Sequence, residues 1–251
     1  MNTEEVLARI YIENKLYKTQ ELAPYIKEAS ILWTENDPGL VWDLMILLPN
    51  DLFQKFSNQS GECFVVDDHD HTPWIFTRVK SFEWIKRDFE VRLPIALWIY
   101  QNSIVLQDKD GKFNEILQEQ KKVFDRMIPE ILRRKYLEFR AERHNLRHAL
   151  ERKNAIAITL IKATVVKLAL EMSFLAEGKP YPYKKWLPLA VQFDTINGKK
   201  LLQISEDFLR VEDPSTTIEL SDCLVEKVGT MLIKTQIFPV DFIQKWWLHL
   251  V

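Results

Sequence analysis

Apolar residues recur at helical spacing near the start of the chain, at Val6, Ile10 and Ile12 behind Thr3, and again at Leu22, Tyr25, Ile26 and Ala29 behind Thr19. A hydroxyl residue heading an apolar stripe predicts a helix in each place. The pattern then changes. Glu35-Asn36-Asp37-Pro38-Gly39 is turn chemistry, and residues 40–48 are apolar apart from Asp43 until Pro49-Asn50 stops the run. A short apolar run between turns predicts a buried strand. Residues 63–66 predict a second strand, and the alternation over 74–79 predicts a third. Ser81 heads a short predicted helix over 82–89, and a further helix is expected over 94–100. Residues 103–106 read as a strand closed by the turn Asp108-Lys109-Asp110-Gly111.

After Lys112 the spacing is helical throughout. One helix is predicted over 113–135, with Pro129 opening a new one at its first turn, and Tyr136, Phe139, Leu146 and Leu150 continue the period. Asn154 caps a predicted helix over 155–176, which Gly178 closes. Further helices are expected over 201–211, 218–234 and 240–250. The fold class is therefore α+β. A small mixed sheet with flanking helices fills residues 1–112, and a helical bundle fills residues 113–251.

Composition narrows the partners. The net charge of −2 gives no global basic field for non-specific binding of nucleic acid. Two cysteines, Cys63 and Cys223, do not form a disulfide framework, which points to a reducing, cytoplasmic setting. The start, Met1-Asn2-Thr3-Glu4-Glu5, opens a helix pattern and has no signal-peptide character. The apolar stretch over 155–170 is broken by Lys162 and Lys167 and is too short to span a bilayer. The eight tryptophans and fourteen phenylalanines are core material first and stacking surfaces second.

Five places carry candidate chemistry. Asp43 interrupts an apolar strand, and a buried carboxylate is costly unless paired or metal-bound. It reads as a Mg²⁺ ligand or as a strand-end polar residue. In Asp67-Asp68-His69-Asp70-His71, alternate residues of a strand share a face, so Asp68 and Asp70 would act together on Mg²⁺ or Mn²⁺, or His69 and His71 on Zn²⁺ or Mn²⁺; the plainer reading is a solvated acidic loop. Arg140, His144, Arg147 and His148 share a helix face, with Arg143 beside them, and such a stripe suits phosphate. Glu138, Glu142 and Glu151 equally suit a salt-bridged exposed face, and Arg143 with His148 fits the loose Arg-x₄-His pattern of HEPN-type ribonucleases. In Pro182-Tyr183-Lys184-Lys185-Trp186 the aromatics would anchor the segment, leaving a lysine to meet phosphate or the whole to serve as a packed connector. Trp246-Trp247 reads most simply as core and surface of the last helix, and an exposed pair would serve a homodimer contact. No nucleophile triad, Walker loop, dinucleotide fingerprint or His-Glu-x-x-His is present.

Three features, in order, resemble the nucleotidyltransferase superfamily with a helical C-terminal domain. They are the strand 41–48 carrying Asp43 behind the turn at Asp37, the strand–helix–strand segment 77–110, and Ser173-Phe174-Leu175 followed by Pro182-Tyr183-Lys184-Lys185-Trp186. The last is similar to the Pro-Tyr-x-Lys-Trp signature of bacterial nucleotidyltransferase-like proteins of the DUF4037 type. The resemblance implies a nucleotidyltransferase-like sheet, Mg²⁺, a nucleoside triphosphate and a small hydroxylated acceptor. It assigns catalysis to Asp37 and Asp43, metal binding to Asp43, Asp68 and Asp70, and phosphate contacts to Arg143, Arg147, Lys184 and Lys185. The sequence departs from that pattern in two ways. No Gly-Ser turn precedes Asp43, and the positions two residues away are Val41 and Met45, neither a Mg²⁺ ligand. The alternative is a degenerate relative whose head is a binding or regulatory module.

Overall fold

The computed structural model describes residues 3–18, 20–37, 41–60, 65–68 and 74–249. The chain divides into two compact units, Met1–Lys122 and Val123–Val251.

The first unit is a five-stranded mixed sheet in the order β3-β4-β2-β1-β5. Helix α1 (Thr3–Asn14), a 3-10 turn and the short helix α2 (Ala23–Ile26) lead into β1 (Ser30–Asp37). β1 pairs antiparallel with β2 (Val41–Leu48), which is followed by α3 (Asn50–Ser60). β3 (Val65–Asp68) is antiparallel to β4 (Trp74–Ser81), and β4 runs parallel to β2. Helix α4 (Phe82–Gln101) and β5 (Ile104–Asp108), antiparallel to β1, complete the unit with the first turns of α5 (Lys112–Glu151).

The period of two in β4 is visible in its burial, with Ile75, Thr77, Val79 and Ser81 inward and Trp74, Phe76, Arg78 and Lys80 half-buried. One sheet face carries Ile31, Trp33, Trp42, Leu44, Ile46, Leu48, Ile75 and Val79. It packs on Ala8, Tyr11 and Ile12 of α1, Ile26 of α2 and Phe56 of α3. The opposite face buries Leu32, Met45 and Leu47, and none of the buried side chains of α4 belongs to the first core. Thus α3 and α4, which follow the parallel neighbours β2 and β4, leave their strands toward opposite faces of the sheet.

Four expectations need correction. Residues 30–37 form a strand, not a helix end and turn: β1 continues through Asp37, past a register shift between Glu35 and Asp37. The run Ile31-Leu32-Trp33-Thr34 suits a pleated, buried position. α3 is an unpredicted helix, its Leu52, Phe53 and Phe56 lying on the first core. Pro129 opens no new helix, because α5 runs through it. The lost backbone bond costs about 3 kcal/mol, and burial of Phe124, Ile128, Ile131 and Leu132 on either side outweighs it. The predicted helices at 82–89 and 94–100 are one element with a kink at Arg92, two residues before Pro94.

The second unit holds the rest of α5 together with α6 (Ala155–Ala176), α7 (Leu187–Asp194), α8 (Asn197–Arg210), α9 (Pro214–Lys234) and α10 (Val240–Gln244), and ends in a 3-10 turn. The caps read in the sequence are present. Asn154 accepts from the Ala157 amide at 3.1 Å. Gly178, at φ 69°, lets the Lys179 amide reach back to the Phe174 carbonyl. No described helix is long and apolar enough to cross a membrane. Lys162, which interrupts the apolar run of α6, is buried with its ammonium 2.6 Å from the Val211 carbonyl at the end of α8.

Candidate functional site

Asp43 is the third residue of β2, on the sheet face opposite the first core. Its Cα partners are Thr34 on β1 and Phe76 on β4. Arg78, two residues further along β4 on the same face, reaches back diagonally and donates from Nη2 to Asp43 Oδ2 at 2.8 Å. The guanidinium lies 5.4 Å from the centre of the Phe76 ring. The two side chains are 31% and 14% exposed, so the pair is screened only in part. A charge-assisted bond from a planar guanidinium thus engages one oxygen, Oδ2, of the carboxylate that interrupts the apolar strand, while the buried Oδ1 accepts no hydrogen bond from the described residues.

A second polar group belongs to the same unit. The Asp88 carboxylate on α4 accepts from the Tyr100 hydroxyl at 2.9 Å and is paired with Arg92. Burial, and then the neighbouring Asp88 charge, push the Tyr100 hydroxyl well above its ordinary range, while Arg92 and Arg78 pull it back. Arg78 therefore sits within electrostatic reach of α4.

Two other acidic candidates lie on the strands of the same sheet. Asp37 pairs with Val41 at the end of β1, about 10 Å along the strand from Thr34, the partner of Asp43. Asp68 lies on β3 opposite Ile75, in the cross-strand row of Trp42, two strands from β2. Asp70, His69, His71 and Cys63 lie outside the described residues. Among the described residues, no three His, Cys, Asp or Glu side chains come together as a metal site.

The cationic candidates all belong to the second unit. Arg143 pairs with Asp222 of α9, whereas Arg147 is exposed. Arg140 donates to the Tyr136 hydroxyl at 2.9 Å and stacks on the buried Trp246. His144 and His148 are exposed and edge-on to each other, and His148 lies 3.4 Å from Glu151. Lys184 and Lys185 are exposed on a segment anchored by buried Tyr181 and Trp186, with Trp186 Nε1 donating to the Tyr183 hydroxyl at 2.8 Å. Trp247 is exposed beside buried Trp246. The Ser173-Phe174-Leu175 segment is wholly buried, and Ser173 Oγ lies only 2.6 Å from where a Cβ on Gly198 of α8 would stand. Its residue choice follows from close approach of α6 to α8.

One feature escaped the sequence reading because α3 did. Beyond the C-terminal ends of the parallel strands β2 and β4 lies a cleft of about 540 Å³, lined by Asn50, Phe53 and Ser57 of α3 and by Lys80, Trp84 and Arg87. A smaller hollow of about 320 Å³ adjoins it, sharing Asn50 and Glu83.

Comparison with known proteins adds a distant likeness. No curated protein is significantly similar to the chain. Among solved structures, a nucleotidyltransferase-like protein from Exiguobacterium sibiricum 255-15 superimposes with a TM-score of 0.48 at 11% identity, over 94% of this chain and 78% of that one. Residues 94–187, which include the Ser-Phe-Leu and Pro-Tyr-x-Lys-Trp segments, match the domain of unknown function DUF4037.

Proposed function

We propose that this chain is a nucleotidyltransferase-like protein whose sheet serves as a binding or regulatory module and not as a Mg²⁺-dependent transferase. The observation that supports this reading is the Arg78–Asp43 contact of 2.8 Å. Nucleotidyl transfer uses convergent carboxylates to hold a divalent cation that neutralises phosphate charge and aligns attack. Here a fixed guanidinium supplies the positive charge at the one carboxylate the sequence places in the strand. Val41 and Met45 flank it and offer no oxygen. The strand residues beside Asp43 thus supply no second oxygen for Mg²⁺, and no catalytic step through a metal follows from them.

The test is calorimetry with ATP, GTP, CTP and UTP, each with and without Mg²⁺, on the native protein and on Asp43→Asn. The reading expects Mg²⁺ to bring no gain in nucleotide affinity, and any affinity to be the same in the variant. A Mg²⁺-dependent gain in affinity that Asp43→Asn abolishes would restore the transferase, with Asp43 as a ligand and Arg78 moved aside.

A further inference from the structure

We propose that the cleft beyond β2 and β4 binds a small molecule carrying a di- or triphosphate group, held by Lys80 and Arg87. The inference is independent of the Asp43 reading. Six residues of β2 and its exit separate Asp43 from Asn50, about 20 Å of extended chain, and the cleft lies outside the DUF4037 match.

Topology places a hollow here. Ligands of open α/β sheets sit outside the carboxyl ends of parallel strands, where successive connections leave for opposite faces. β2 and β4 are such a pair: α3 leaves toward the first core and α4 toward the other. The divergence opens the space between Asn50 and Ser81. At about 540 Å³ the cleft is within the range of small-molecule sites.

Its chemistry selects the ligand. Lys80 and Arg87 form no ion pair with a described carboxylate; Arg87 acts on Glu83 only through its field. The lysines of the adjoining hollow, by contrast, are neutralised locally: Lys86 by Glu83, Lys109 by Glu28 and Lys112 by Glu115. Positive charge is therefore left over on the side of Lys80 and Arg87. The amides at the head of α4 are partly committed, Trp84 N–H to Ser81 Oγ and Glu83 N–H to Asn50 Oδ1, so the side chains and not the helix end supply the anion contacts. The Lys80 ammonium lies 5.4 Å from the Trp84 ring centre. Trp84 and Phe53, both half-buried, give the cleft two aromatic walls. Two cations beside an aromatic wall suit a phosphate chain, and any ring attached to it finds a stacking surface.

The experiment titrates inorganic tripolyphosphate and ATP, both in EDTA, into the native protein by calorimetry, with tryptophan fluorescence as a second readout. Both probes are expected to bind with a Kd below about 1 mM. Each charge-assisted contact removed costs roughly tenfold, so Arg87→Gln loses about one decade and Lys80→Gln/Arg87→Gln about two. Lys199→Gln/Lys200→Gln, which removes the same charge from α8, keeps native affinity. Tighter binding of ATP, with quenching lost in Trp84→Phe, identifies an organic phosphate ester; equal binding identifies free polyphosphate. No binding of either probe overturns the proposal, as does equal weakening by the α8 pair or no weakening by Arg87→Gln. Metal-free binding that survives Asp43→Asn separates this site from any failure at Asp43.

Discussion

Replacing Arg78 by methionine leaves Asp43 without its guanidinium, and the cost follows from the surroundings. Fully exposed pairs contribute up to about 1 kcal/mol, whereas breaking a fully buried pair costs 3–5 kcal/mol. Asp43 is 14% exposed and Arg78 31%, which places this pair between those limits, at roughly 2 kcal/mol for Arg78→Met. Asp43→Asn should cost less, about 1 kcal/mol, because the amide oxygen still accepts and the more exposed Arg78 rehydrates. The double variant should lie well short of the sum, with a coupling of about 1–2 kcal/mol. Urea unfolding measures all three. Trp33 and Trp42 stack at 5.1 Å one residue from Asp43, so this sheet contributes to the near-ultraviolet dichroism, a second readout of its unfolding. A carboxylate kept for a metal behaves in the opposite way. Its neutralisation relieves strain in the apo protein, and Asp43→Asn would stabilise. Stabilisation, or strict additivity of the two substitutions, would refute the ion-pair account.

Further outcomes follow from other parts of the molecule. The ammonium of Lys135 lies 2.6 Å from Glu171, whose side chain is 4% exposed, so Lys135→Met should cost about 2 kcal/mol in thermal unfolding, less than a lone buried charge because Lys167 remains 3.6 Å from Glu171; no loss would contradict the buried pair. Gly198→Ala should destabilise by about 1–3 kcal/mol, since the new Cβ would meet Thr195 Oγ1, Ser173 Oγ and Val191 Cγ1 inside 3 Å, and unchanged urea stability would contradict that packing. Burial raises the hydroxyls of Tyr100, Tyr136 and Tyr181. A raised folded pKa stabilises fully below the unfolded value and is lost as pH climbs toward the folded one, so the urea midpoint should fall above about pH 10. Absorbance at 295 nm should show these three tyrosines still protonated there in the folded protein, and complete titration of all seven at ordinary pKa would exclude the burial described.

The elements most legible in the sequence are those with a strong period or an unambiguous cap. β4 alternates residue by residue, and α6 begins at Asn154 and ends at Gly178 as its composition requires. β1 was hidden because Ile31-Leu32-Trp33 is a continuous apolar run directly behind a helical stripe, with both faces buried and no alternation to mark it. α3 was hidden because its apolar stripe is short, at Leu52, Phe53 and Phe56. Pro129 misled because local chain chemistry lost to packing. Asp43 reads in the sequence as a carboxylate that is costly unless paired or metal-bound, but its partner Arg78 lies 35 residues away on a parallel neighbour, and only the strand register brings it close. The cleft at the sheet's end required both α3 and that register, so no local pattern announced it.

The central claim is that Arg78, and not a divalent ion, neutralises Asp43. Methionine-methyl NMR with Mn²⁺ tests it directly, because Met45 shares the sheet face of Asp43 two residues along β2. The account predicts that sub-stoichiometric Mn²⁺ leaves the Met45 methyl signal as sharp as that of Met172, which is buried in α6. Selective broadening of Met45, reversed by excess Mg²⁺ and absent in Asp43→Asn, would contradict it.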